Sequence, residues 1–220
     1  MAPYRPATGR GSIHGREVRP LSPELVRIFL RAIEGDRHEA LYFVALGVGL
    51  RQGEILGLAW GDIDFASGTI TVRHALQRVI GRLELVEPKS ATSRRVVPVP
   101  RIVLDGLRGH RTRELETRLL AGSRWHDDPR DLAFTTTVGT PMDGVAVTRR
   151  LQAPLAEAGL PRQRFHDLRH ARASLLLAQG VPARVVMETL GHSQIALTMN
   201  TTSCRPWSIG GAHPTRRPRR

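Results

Sequence analysis

The chain has 220 residues and a formal charge of +13, enough length to bury a sizeable core and enough positive charge to favour a polyanionic partner such as DNA, unless the arginine-rich ends are merely solvated. Three of those net charges lie in residues 1–20 and five in 201–220, which leaves five on the body. No apolar run approaches the roughly 20 residues of a membrane span, the N-terminus lacks a signal-peptide core, and the single cysteine, Cys204, rules out an intrachain disulfide, so a cytoplasmic location is expected.

Residues 1–20 mix Pro, Gly and Arg without period and read as a disordered leader or the end of a linker. Ser22-Pro23-Glu24 opens a helix: the serine caps free amides, the proline suits the first helical position, and the glutamate favours the positive end of the dipole. Leu25, Ile28, Phe29 and Ala32 recur at helical spacing and are expected to be buried. A second helix is expected from about Glu39 to Val48, apolar almost all round and therefore central, with Tyr42 in the core. Gly49 interrupts it, and Arg51 to Leu58 resumes as helix with Ile55, Leu56 and Leu58 inward. Arg51 and Glu54 share one turn. On their own they read as a surface ion pair of little value.

From Asp62 the period shortens. GTITVRHAL, GRLELVEP and SRRVVPVP are β-rich runs parted by Gly, Pro and Ser, and a small three-stranded antiparallel sheet is expected. Between the second and third runs lies Lys89, the one lysine beside 32 arginines. Arginine cannot give up its proton and lysine can, so a proton donor among these cations is Lys89. A lone lysine in an exposed turn is the bland alternative.

Arg101 to Leu119 reads as a helix with a solvated charged face, Gly122 to Arg130 as loop, and Asp131 to Thr137 as a short extended segment. Asp143 to Ala158 has Val145, Val147, Leu151 and Leu155 as its apolar positions, with Pro154 expected to kink or shorten it. His166 to Ala178 turns Leu168, Ala171, Leu175 and Ala178 inward, and sets His166 and Arg169 on one face near its N-terminus, where free amides favour an anion. Pro182 starts another helix through Val185, Val186 and Leu190. Leu190-Gly191-His192-Ser193 then makes a tight corner, in which His192 either satisfies a helix end or faces a ligand. His166 and His170 have the spacing of a zinc pair, but Arg169 between them opposes a divalent cation, and no metal is expected.

Taken in order, GLRQGEILGLAWGDID, EPKSATSRRVVPVP, FHDLRHARASLLLAQGVP and LGHSQIALTMNT resemble the catalytic domain of tyrosine recombinases of the phage integrase type, over roughly Leu21 to Thr201. The resemblance implies a mixed α/β, mainly α-helical fold and site-specific DNA recombination or integration. It implies double-stranded DNA and further recombinase protomers as partners, and no cofactor. By the same likeness Arg51 and Arg169 hold the non-bridging oxygens of a phosphodiester, Glu54 steadies Arg51, and His192 adds a hydrogen bond. Lys89 would protonate the departing 5′-oxygen, and His166 would assist proton transfer at the nucleophile.

That nucleophile, a tyrosine forming a 3′-phosphotyrosyl bond, is expected after His192. There Thr198-Met199-Asn200-Thr201-Thr202 follows the family pattern but puts Thr202 where tyrosine belongs. The chain holds just two tyrosines, Tyr4 and Tyr42. An aliphatic hydroxyl is far less acidic than a phenol of pKa about 10, so cleavage is expected to be very slow or absent. Nothing nearby marks Cys204 as an activated substitute. A DNA-binding module that occupies sites without cutting is the rival reading. The expected layout is a leader over 1–20, a catalytic domain over 21–200 and a basic irregular tail over 201–220. A reading-frame change near codon 201 and a missing core-binding domain ahead of residue 21 complete the expectations.

Overall fold

The computed structural model of the chain describes residues 20–87 and 94–190, and of residues 187–189 the backbone alone. Ser22 accepts a hydrogen bond from the Leu25 amide at 3.4 Å and Pro23 takes the first position, so α1 (Pro23–Ala32) starts where its capping residues dictate. Its buried face is centred on Val26, Phe29 and Ile33. Leu25 and Ala32 are partly covered and Ile28 is exposed, so the expected stripe was rotated by about one residue.

α2 (Glu39–Gly47) is the hub. Leu41, Tyr42 and Val44 are fully buried, and the helix packs against both α4 (Arg101–Ala121) and α7 (Phe165–Ala178). Tyr42 lies among Phe29, His38 and Phe165 and is core, as expected. Gly49, at φ +78°, turns the chain from α2 toward α3 (Gln52–Leu56), a conformation a side chain resists. A side chain there would also run into Leu190.

The β region departs from expectation in its membership. A three-stranded antiparallel sheet is present, ordered β1 (Ile63–Asp64), β2 (Thr69–Val72), β5 (Arg95–Pro98), with Ile70 opposite both Ile63 and Val97. The first expected run is broken after Val72: its second half becomes β3 (Ala75–Val79), which pairs with β4 (Arg82–Val86) as a separate hairpin. That hairpin lies against α3 through two glycines. A Cβ on Gly53 would sit 2.9 Å from the Leu76 carbonyl oxygen, and one on Gly57 would sit 2.8 Å from the Leu76 nitrogen.

Beyond the sheet, α4 buries Val103, Leu104, Leu107 and His110 and leaves Leu115, Leu119 and Leu120 exposed. The segment expected to be extended near Asp131 makes isolated bridges, Leu132 to Ala59 and Thr135 to Pro141, and no regular strand. One expected helix is two: α5 (Gly144–Arg150) and α6 (Gln152–Glu157) meet at Leu151, three residues before Pro154, whose ring and missing N–H forbid an unbroken helix. Val147, Leu151 and Leu155 are buried as expected, and Val145 is exposed. α7 buries Leu168 and Ala171 but leaves Leu175 partly covered and Ala178 exposed. Gly180, at φ +80°, leads into α8 (Ala183–Leu190), where Val186 and Leu190 are buried and Val185 is exposed.

Candidate functional site

Arg51 is the extended residue that caps α3, and its backbone N–H donates to Glu54 Oε2 at 2.8 Å. The same geometry brings its guanidinium to Glu54 Oε1 at 2.9 Å while leaving that side chain 45% exposed. Glu54 itself is 5% exposed. Burial pushes its pKa up, but hydrogen bonds and charge from Arg95, with the amide and charge of Arg51, outweigh burial and hold it below its ordinary value. The carboxylate is therefore ionised at neutral pH.

Arg95 is the partner that sequence reading missed. It opens β5 and forks onto Glu54, Nη1 to Oε1 at 3.1 Å and Nη2 to Oε2 at 3.0 Å. A signal for it was present: Arg95 shares a strand face with Val97, which is buried, so one arginine of SRRVVPVP had to point inward.

Arg169 comes from the second turn of α7 and is buried. Its Nη1 donates to the Gly49 carbonyl at 2.6 Å and its Nη2 to the Leu190 carbonyl, so one side chain ties the α2–α3 elbow to the end of α8. Burial, then the charge of Arg51, pushes its pKa down to about 9, and the guanidinium stays charged at neutral pH. The charges of Arg51, Glu54 and Arg95 all act on Arg169, so four side chains from α3, β5 and α7 form one electrostatic cluster. Three guanidinium charges face one carboxylate in it. Such an excess favours a bound anion.

His166 stands one turn before Arg169 on α7, exposed on one side and edge-on to the His170 ring with centroids 4.6 Å apart. Burial of its inner side, then the positive influence of His170 and Arg169, pushes its pKa down to about 4. The imidazole is neutral at pH 7 and able to accept a proton. Among the described residues no group of three His, Cys, Asp or Glu is arranged to hold a metal ion.

Lys89, His192 and Thr202 lie outside the described residues, as does Cys204. Their flanks do not: Glu87 and Arg94, either side of the Lys89 segment, pair at 3.0 Å, and Leu190, two residues before His192, is the carbonyl that Arg169 holds. Tyr42 is fully buried, and burial raises its pKa further, so it does not face the cluster's solvent side as a nucleophile must.

Residues 23–203 match the phage integrase family. A tyrosine recombinase XerC-like protein of Caldanaerobacter subterraneus subsp. tengcongensis is 37% identical over 194 residues, covering 84% of this chain and 50% of that protein. An integrase of Saccharopolyspora erythraea is 29% identical, covering 84% of this chain and 54% of that protein. Among solved structures, the Tn1549 transposon integrase in complex with circular intermediate DNA matches at a TM-score of 0.73 and 25% identity, covering 88% of this chain and 65% of that one. The chain thus spans about half the length of the curated relatives it matches.

Proposed function

The chain belongs to the phage integrase family of tyrosine recombinases, and on that premise we propose that Arg51 and Arg169 grip a phosphodiester of double-stranded DNA in a strand-breaking and rejoining site. The observation that carries the reading is the cluster around Glu54, where Arg51 and Arg95 hydrogen-bond one buried carboxylate and the charge of Arg169, from a third element, couples to it. Charge growing on the non-bridging oxygens of a five-coordinate phosphorus would meet donors already fixed in place. Glu54 holds Arg51 by two hydrogen bonds, and His166, uncharged at neutral pH, offers a nitrogen acceptor to an attacking hydroxyl, although its depressed pKa makes it a weak base. Lys89, as proton donor to the 5′-oxygen, and His192, as a further donor to the phosphate, complete the reading from sequence. The catalytic domain in this reading runs over 21–200.

Cutting needs a nucleophile, and here the chain departs from its family. With Thr202 where tyrosine belongs and Tyr42 buried in α2, strand cleavage is lost or severely impaired. That favours a second reading: the chain occupies DNA, or competes with a full-length recombinase, without cutting.

A suicide DNA substrate, whose nicked strand diffuses away after cleavage, separates the two. A protein–DNA adduct that survives denaturation would establish cutting by this chain and remove the second reading. Retarded DNA with no adduct is the result expected from the residues present.

A further inference from the structure

We propose that Arg95 is a positioning residue for the phosphate grip, acting on a DNA phosphate through Glu54 and Arg51 without touching the phosphate itself. The inference rests on the reading of Arg51 as a phosphate-binding cation.

An ionised carboxylate offers about four lone-pair sites. Glu54 has four donors on them: the Arg51 amide and Arg95 Nη2 on Oε2, Arg51 Nη1 and Arg95 Nη1 on Oε1. The two arginines are not equivalent. Arg95 approaches as a fork, whose two parallel hydrogen bonds fix the plane of the carboxylate, whereas the Arg51 side chain meets it through Nη1. The Arg95 side chain is 12% exposed and that of Arg51 45%, so the fork is the inner member and Arg51 the outer one.

Two consequences follow for Arg51. Its hydrogen-bond acceptor is held at one orientation, so the outward edge of its guanidinium is aimed before any ligand arrives. The charge balance of the group changes as well. With Arg95 the Arg51, Glu54 and Arg95 group carries a net positive charge, and without Arg95 the acid neutralises Arg51 one to one. The fork further ties the start of β5, the strand that follows the Lys89 segment, to α3, which begins beside Arg51.

The test is a double-mutant cycle on the full chain, with a short mixed-sequence DNA duplex as the probe and the thermal midpoint recorded for every variant. Arg51→Ala and Arg95→Met are each expected to weaken binding about fivefold, and the double variant to be no weaker than Arg51→Ala alone, because the effect of Arg95 passes through Arg51. Arg95→Lys keeps the charge and most of the stem but loses the fork. It is expected to weaken binding about threefold, again only when Arg51 is present, and it carries the cycle if Arg95→Met does not fold. Losses that multiply to about 25-fold in the double variant would overturn the proposal and make Arg95 an independent contact or a general brace. If Arg51→Ala weakens binding while neither Arg95 variant does, the Arg95 inference alone falls. If Arg51→Ala binds as the parent does, the phosphate reading falls and takes this one with it.

Discussion

Glu54 is the residue on which the arginines depend, because it is buried between two of them and removing its charge leaves guanidiniums facing one another. Glu54→Gln is expected to lower the unfolding free energy at pH 7 by about 3 kcal/mol, the usual cost of breaking a buried ion pair from one side. Its folded pKa lies below the unfolded value, so its contribution is present at neutral pH and disappears as pH falls below about 4.3 through the folded pKa. Denaturant unfolding at neutral and acid pH should therefore show the gap between parent and variant closing in acid. His166 gives a second check. Its imidazole is expected to titrate near 4 and not 6.5 when followed by NMR, and Arg169→Met should move that value upward by removing a neighbouring charge. His110, buried and also pushed down to about 4, binds its proton in the unfolded chain first, so stability should decline as pH falls from 6.5 toward 4. At this scale Arg51, Glu54, His166 and Arg169 were singled out by the resemblance of their motifs to the family, since by spacing alone Arg51 and Glu54 read as an ordinary ion pair. Arg95 stayed hidden because its meaning depends on which face of a strand turns inward and on a carboxylate 41 residues away.

Among the elements, the helices were the more legible part. Ser22 and Pro23 announce α1, the unbroken apolar run of α2 makes it central, and Pro154 foretells the break between α5 and α6, since each of these effects is local. Strand membership was not local. The run from Gly68 to Leu76 shows one alternating pattern, yet the chain leaves the sheet after Val72 so that β3 can pack on α3, a choice made by tertiary contact with Gly53 and Gly57. Gly57→Ala is accordingly expected to cost about 2 kcal/mol in denaturant unfolding, because the new methyl meets the Leu76 backbone nitrogen and the Leu85 side chain, and the backbone cannot give way. Gly61→Ala, with open space around its Cβ, is the control and should cost much less. The long α4 is a helix with a mostly solvated face, as its run of arginines and glutamates implies. The exposed Leu115, Leu119 and Leu120 at its far end were not anticipated, and nothing in the described residues covers them.

In the whole molecule three features meet: cations that are almost all arginine, a guanidinium cluster assembled around one buried acid, and membership of a family whose solved relatives include a transposon integrase in complex with DNA. The tails carry eight of the thirteen net charges, so non-specific attraction to DNA alone does not distinguish a gripped phosphate from a basic surface. The measurement that does is the salt dependence of duplex binding by the parent chain and by Arg51→Ala. Each neutralised phosphate contributes about 0.9 to the slope of log affinity against log salt, so the variant should bind more weakly and show a slope smaller by about that amount. An unchanged affinity and slope would mean that Arg51 meets no phosphate and that the cluster around Glu54 is not a DNA grip.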